Sequence, residues 1–444
     1  MQANQKHRGR SIFGLVTGSV FVLNAIIFLF QGLTKNLFPP LLLPLRETFL
    51  IDNAQAGLLV TLVFFGYALA RFPSGIIADH IGCTRTVLIG STAMALSFLG
   101  VAVSPNYPVM VVMTFILGVS SGIYVTAGYT LAVIIGSRER AATATAAFES
   151  FGIIGAIASP ALVTVFVLFF NWQLLFIVSG LLLAVATAAF YRFRDRSNGF
   201  EKVHADQNGF SEGENALPLS SEGSKAGSAR GTLQSFSKKV LNSSIIFRDP
   251  MIRRFIIWST LVGGLGALSW TGVNSFIPTF LVEERGYSYD MANSMFITVA
   301  VAGLAAKVGI GWLADRFGNN PVLFSNLVIS VGLFIALTLT TGHWQLLVIL
   351  ALLGAACLNT NTLINSYVLR NMPPRYQGAG FGLFCTAYTA VYSLGPYLTG
   401  YLSEIFGLST AIQLSSIGAV VAALLILTAN IFVPRHLVAR LASS

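Results

Sequence analysis

Apolar residues fall in twelve long blocks along this chain, at 11–33, 53–78, 86–103, 108–135, 141–169, 172–191, 252–282, 289–314, 322–340, 344–369, 378–401 and 408–432. A helix needs about 20 apolar residues to cross a bilayer, so the pattern predicts twelve membrane-spanning helices. One long polar stretch, between Arg192 and Asp249, divides them six and six. It is rich in Ser, Gly, Glu and Lys and too polar to bury a core, which predicts a mostly flexible connector. Within it Leu233, Phe236 and Val240 recur at helical spacing beside Lys238 and Lys239. That suits either a short helix lying on an anionic leaflet or an ordinary linker. The predicted organisation is an all-α membrane protein: a six-helix bundle over 1–191, a cytoplasmic connector over 192–250 and a second six-helix bundle over 251–444.

Composition agrees. The 444 residues are 55% hydrophobic and 10% charged, with mean hydropathy +0.74, too apolar for a soluble chain of this length. The 27 Lys and Arg exceed the 17 Asp and Glu, but their positions argue for topology rather than nucleic acid. With the amino terminus in the cytoplasm, twenty-two of the 27 lie on that side, including Arg85, Arg138, Arg140, Arg316 and Arg370. Only Lys35, Arg46 and Arg285 fall on the other. Positive residues concentrate on the cytoplasmic side of membrane proteins, so both termini and the connector are expected there. Cys83, Cys357 and Cys385 show no metal-ligand spacing, and the first apolar run outlasts a signal-peptide core with no cleavage site after it.

The two halves repeat. RFPSGIIADHIGCTR at 71–85 returns 236 residues later as KVGIGWLADRFGNNP at 307–321. The shared frame is Arg71, Gly75, Asp79, Gly82 in one copy and Lys307, Gly311, Asp315, Gly318 in the other, as two related membrane halves require. Gly-x-x-x-Asp-x-x-Gly-x-x-Arg between the second and third segments resembles the signature loop of the major facilitator superfamily of transporters. Gly75 and Gly311 would let a neighbouring helix approach closely. The resemblance implies that Asp79 and Arg85 latch against the start of helix 11, near Gln377, closing the cytoplasmic side. A plain hairpin needed for folding is the alternative.

Charges inside the apolar blocks cost at least about 2.5 kcal/mol each on insertion scales, so each needs a role. Arg71 and Lys307 stand eight residues from Asp79 and Asp315, roughly 12 Å along a helix and near mid-membrane. One cation per half suggests a paired anion site, with snorkelling to the interface as the alternative. The nitrate/nitrite porters of the superfamily carry arginines at both positions. Here Lys307 replaces one, and GIIGAIASP and AVYSLGPYLTG lack the asparagines of the nitrate signatures. An organic anion fits the resemblance at least as well as nitrate. Glu149 in the fifth segment lies roughly 13 Å deep, level with Lys307. Three roles remain open for it: a bridge to Lys307 across the halves, a coupled proton, or a local hydrogen bond.

The family lines its cavity with helices 1, 4, 7 and 10, which here offer Asn24, Gln31, Tyr124, Trp270, Asn274, Asn361 and Asn365. Tyr388 and Tyr392 in helix 11 share the choice between ligand contact and helix-to-helix bonding. The predicted function is secondary active transport of a small organic or inorganic anion by a monomer in the cytoplasmic membrane, with H+ as a possible partner and no cofactor. A proton-coupled drug exporter competes, but Thr114 stands where exporters have arginine, four before Gly118, and helix 5 has Ser159-Pro160 where they have Gly-Pro. A transporter-like sensor is the third reading. An enzyme is not expected, since no nucleotide loop, metal cluster or nucleophile constellation appears.

Overall fold

The computed structural model describes residues 2–135, 141–195, 199, 250–372 and 377–428, with the side chains of 2–17, 141–143 and 377–379 left out. The amphipathic stretch expected at 233–240, Arg138 and Arg140, and the loop entering helix 11 lie outside the described residues.

The regular elements of the described residues are all helices. The first crossing is α1 (Gln2–Asn36) continued by α2 (Phe38–Phe49). α3 (Asn53–Ile81), α4 (Cys83–Ala102), α5 (Tyr107–Ile135), α6 (Ala141–Phe169) and α7 (Trp172–Arg192) complete the first half. The second half holds α8 (Pro250–Glu283), α9 (Tyr289–Phe317), α10 (Asn319–Leu339), the broken pair α11 (His343–Cys357) and α12 (Thr360–Asn371), the broken pair α13 (Gln377–Ser393) and α14 (Gly395–Phe406), and α15 (Leu408–Leu427). Counting each broken pair once gives twelve crossings. Leu96, Val185, Ile329, Val348 and Leu424 are large, apolar and exposed, as a lipid-facing surface requires.

Sequence sets the helix ends. Asp52 accepts from the Gln55 N–H at 2.7 Å while the Gln55 side chain accepts from the Asp52 N–H at 3.2 Å, a reciprocal cap that starts α3. The second glycine of each signature frame ends its helix in the same unusual way. Gly82 has φ 90° and ψ 152°, and Gly318 has φ 89° and ψ 153°, a region only glycine enters at low cost. The first glycine of each frame corrects an expectation. A Cβ on Gly75 would meet only Thr126 Cγ2 at 3.7 Å and one on Gly311 nothing within 4 Å, so neither sits at a tight helix contact. The tight contact lies at the other end of α3, where a Cβ on Gly57 would come 2.3 Å from the Pro396 carbonyl oxygen of the opposite half.

Each half packs alike: α3 on α5, α4 on α5 and α7, α1 on α6; and α9 on α11, α10 on α11 and α15, α8 on α13. The halves meet where α3 runs against α13 and α14, and where α6 runs against α9. Away from the signature loops, polar bonds tie them together. Arg46 Nη1 donates to Glu283 Oε1 at 2.5 Å, the Asn53 N–H to Glu404 Oε1 at 2.7 Å, the Tyr289 hydroxyl to the Pro40 carbonyl at 2.7 Å, and the Tyr397 N–H to Thr61 Oγ1 at 3.1 Å. Glu404 sits at the N-terminus of α3, where the helix dipole favours a carboxylate.

Lys35 requires a second correction. Sequence reading put it in an outer loop, because Pro39 and Pro40 look like a break. Leu37 instead keeps helical backbone (φ −72°, ψ −34°) and donates its N–H to Leu33 O at 2.9 Å. The prolines occupy the first turn of α2, where a missing N–H does no harm. Helix therefore continues to Phe49, fourteen residues beyond Lys35 or roughly 21 Å at 1.5 Å per residue, and Lys35 lies within a helical crossing rather than in a loop.

Candidate functional site

Two charged side chains meet across the interface of the halves. Lys307 on α9 donates from Nζ to Glu149 Oε2 on α6 at 3.3 Å. The other carboxylate oxygen, Oε1, accepts from the Tyr129 hydroxyl on α5 at 3.2 Å. Tyr129 is fixed by edge-on contacts with Phe28 and Phe148, ring centroids 5.3 and 5.2 Å away. Glu149 is 36% exposed and Lys307 39%, so water screens the pair and it contributes about 1 kcal/mol or less. A bond of that size can be made and broken at little cost.

A second cluster lies beside it. The Lys35 ammonium sits 3.6 Å from the centroid of the Tyr67 ring, and the Arg71 guanidinium carbon is 5.8 Å from the same centroid. Tyr67 and Arg71 are one turn apart on α3, which brings them onto one face. A cation over an aromatic face gains about 0.5–2 kcal/mol, depending on how far it is desolvated. Among the described residues no carboxylate oxygen lies within 4.0 Å of Lys35 or Arg71.

The first cluster, and Lys35 of the second, border a cavity of about 350 Å³ between the halves. Its wall includes Gln31 and Lys35 of α1, Tyr129 of α5, Glu149 of α6, Asn274 of α8, Lys307 of α9 and Asn361 of α12. The titratable groups in that wall are two lysines, one glutamate and one tyrosine.

Of the residues expected to bind solute, Lys307, Asn274 and Asn361 line this cavity, and Arg71, Tyr124, Trp270 and Asn365 do not. Arg71 stands on α3 beside Tyr67, so the cation that shares the cavity with Lys307 is Lys35. Tyr124 is spent inside the first half: its hydroxyl donates to the Asn24 carbonyl at 2.7 Å, and Asn24 Nδ2 donates to Gly128 O at 2.9 Å. Trp270 is only 6% exposed within the core. Tyr388 donates to Asn361 Oδ1, and Tyr392 packs edge-on against Phe64 of the other half at 5.5 Å. Of the signature residues, Asp315 accepts from Arg370 Nη2 at 2.5 Å, an exposed pair within the second half. Asp79 and Arg85 are exposed at the end of α3 and the start of α4. The side chains at the start of helix 11, against which Asp79 was expected to latch, lie outside the described residues.

Lys35 and Tyr67 were missed. The available signal was the spacing of Gln31 and Lys35, four apart and therefore on one helical face.

Comparison with known proteins bears on the whole chain. The family model described as Major Facilitator Superfamily matches residues 24–384 and again 260–443. The chain is 23% identical over 377 residues to the protein of Cupriavidus necator named "Probable sulfoacetate transporter SauU", covering 81% of each chain. It is 25% identical over 358 residues to "Putative multidrug resistance protein MdtD" of Salmonella newport, covering 75% of each. Among solved structures it resembles a bacterial homolog of the human lysosomal transporter Spinster, with TM-score 0.70 and 14% identity over 94% of this chain and 98% of that one. The twelve crossings in two like halves, the doubled signature and a family match running through both halves give one conclusion: this chain is a multi-pass membrane transporter belonging to the major facilitator superfamily.

Proposed function

We propose that the chain carries a small organic or inorganic anion across the cytoplasmic membrane by alternating access, with both termini in the cytoplasm. The observation that carries this reading is Lys35, a cation in the cavity wall with no carboxylate partner among the described residues, facing a cavity in which Glu149 can neutralise only one of two lysines. A buried positive surplus is costly unless a mobile anion compensates it. Gln31, Asn274 and Asn361 add hydrogen-bond donors suited to oxyanions. The name of the Cupriavidus relative, a transporter of sulfoacetate, supports the same class of solute.

With this sidedness the bonds around Arg46, Asn53 and Tyr289 close the outer end, and the Glu149–Lys307 bridge joins the halves at mid-depth. Binding of an anion at Lys307 releases Glu149 and allows the halves to rock. A drug exporter is the second reading, favoured by the name of the Salmonella relative and weakened by Thr114 and Ser159. Uptake into proteoliposomes, from a panel of inorganic anions, monocarboxylates and dicarboxylates beside lipophilic cations, separates them. Saturable uptake of an anion is the expected result; transport of the cations alone would overturn the proposal.

A further inference from the structure

We infer that the solute is a small dianion held with one acidic group at Lys35 and the other at Lys307, and that its transport is coupled to one proton taken up by Glu149. This rests on the anion reading and specifies its solute and coupling.

The argument begins with the charges that face the cavity from each helix packed on α6. α1 contributes Lys35, α5 contributes Tyr129 and α9 contributes Lys307; α2 and α7 contribute no lining residue. Lys307 already has a carboxylate at 3.3 Å. Lys35 has a ring face and no carboxylate among the described residues. A monoanion satisfies Lys35 and leaves the Lys307–Glu149 bridge between the halves intact. A dianion has a second acidic group that can reach Lys307 and displace Glu149, which breaks the bridge. Binding of the doubly charged solute is thereby linked to release of the halves.

Displacement leaves Glu149 without its ammonium partner and next to the negative charge of the solute. A proton from the aqueous side that supplied the solute neutralises it. Among the groups that line the cavity the charges then balance: two ammonium groups against a dianion, with Glu149 an uncharged acid whose Oε1 keeps the Tyr129 hydroxyl as hydrogen-bond partner. On the far side the solute leaves, Glu149 gives its proton to water, and the bridge to Lys307 forms again. Each cycle moves one dianion and one proton in the same direction, a net transfer of one negative charge. The volume fits, since about 350 Å³ is near the lower end of the range for small-molecule sites, about 300–1,000 Å³.

The full-length protein in proteoliposomes tests this by uptake of labelled malonate and succinate against labelled acetate and lactate, at equal concentration and with an inward proton gradient. The expected result is dianion uptake at least tenfold above monoanion uptake. In Lys35→Gln that ratio should fall at least tenfold, and Lys35→Arg, which keeps the charge, should restore most of it. Monoanion uptake that exceeds dianion uptake, or a ratio unchanged by Lys35→Gln in protein that still transports, overturns the inference and leaves the anion reading standing. Movement of lipophilic cations with no anion uptake overturns both.

Discussion

Lys307 and Glu149 face each other at 3.3 Å across the boundary between the two halves, each a little over one third exposed. That geometry gives the bridge a mechanical role and little structural weight. Lys307→Gln and Glu149→Gln should each lower the unfolding free energy by about 1 kcal/mol or less while reducing net uptake at least tenfold. The double variant should lose less than the product of the two single losses, because both remove the same contact. Thermal unfolding in detergent beside proteoliposome uptake checks the contrast.

Proton dependence follows from the same pair. Because Glu149 takes up a proton from the entry side once the solute has displaced it from Lys307, uptake rises as the pH on that side falls, and net uptake is driven by an inward proton gradient. In Glu149→Gln the dependence on entry-side pH should flatten. A slope as steep as that of the unmodified protein would assign proton coupling elsewhere.

The end of the molecule away from the signature loops holds a steric test. A Cβ on Gly57 would lie 2.3 Å from the Pro396 carbonyl oxygen of the opposite half, so Gly57→Leu cannot close there. Thr61 is buried one turn along, where its hydroxyl oxygen accepts from the Tyr397 N–H. With Thr61→Cys as a reporter, an impermeant maleimide added from outside should react at least fivefold faster when Gly57→Leu is also present. Equal rates would mean that this contact does not gate access.

In the second signature frame, backbone conformation outweighs the ion pair. Gly318 holds φ 89° and ψ 153°, and forcing a side chain into such a region costs about 1–3 kcal/mol. Asp315 and Arg370 are more than half exposed, and a surface pair of that kind is worth about 0–1 kcal/mol. Gly318→Ala should therefore lower the unfolding midpoint more than Arg370→Ala, and the reverse order would contradict this assignment of roles.

What could be read from the sequence divides by direction. Position along a helix was legible, because a fixed rise per residue carries Lys307 and Glu149 to the same depth from their flanking charges. Rotation about the axis was not. These helices are apolar on nearly every face, so periodicity does not mark which side meets lipid, a neighbouring helix or the cavity. Tyr124 and Trp270 were accordingly expected at the cavity and lie in the packed interior, and Arg71 stands beside Tyr67 outside the cavity wall. Lys35 was lost for another reason: Pro39 and Pro40 look like a loop in sequence, yet proline fits the first turn of a helix. The signature glycines divide similarly. Gly82 and Gly318 are required by backbone conformation, whereas the close approach expected at Gly75 and Gly311 occurs at Gly57.

The central claim is that Lys35 of one half and Lys307 of the other receive a negatively charged solute between them. Proteoliposome uptake of the anion panel by the unmodified protein, Lys35→Gln and Lys307→Gln tests it most directly. The account predicts saturable uptake of at least one small anion, reduced tenfold or more by each substitution. Anion uptake that persists at full rate in both variants would contradict it.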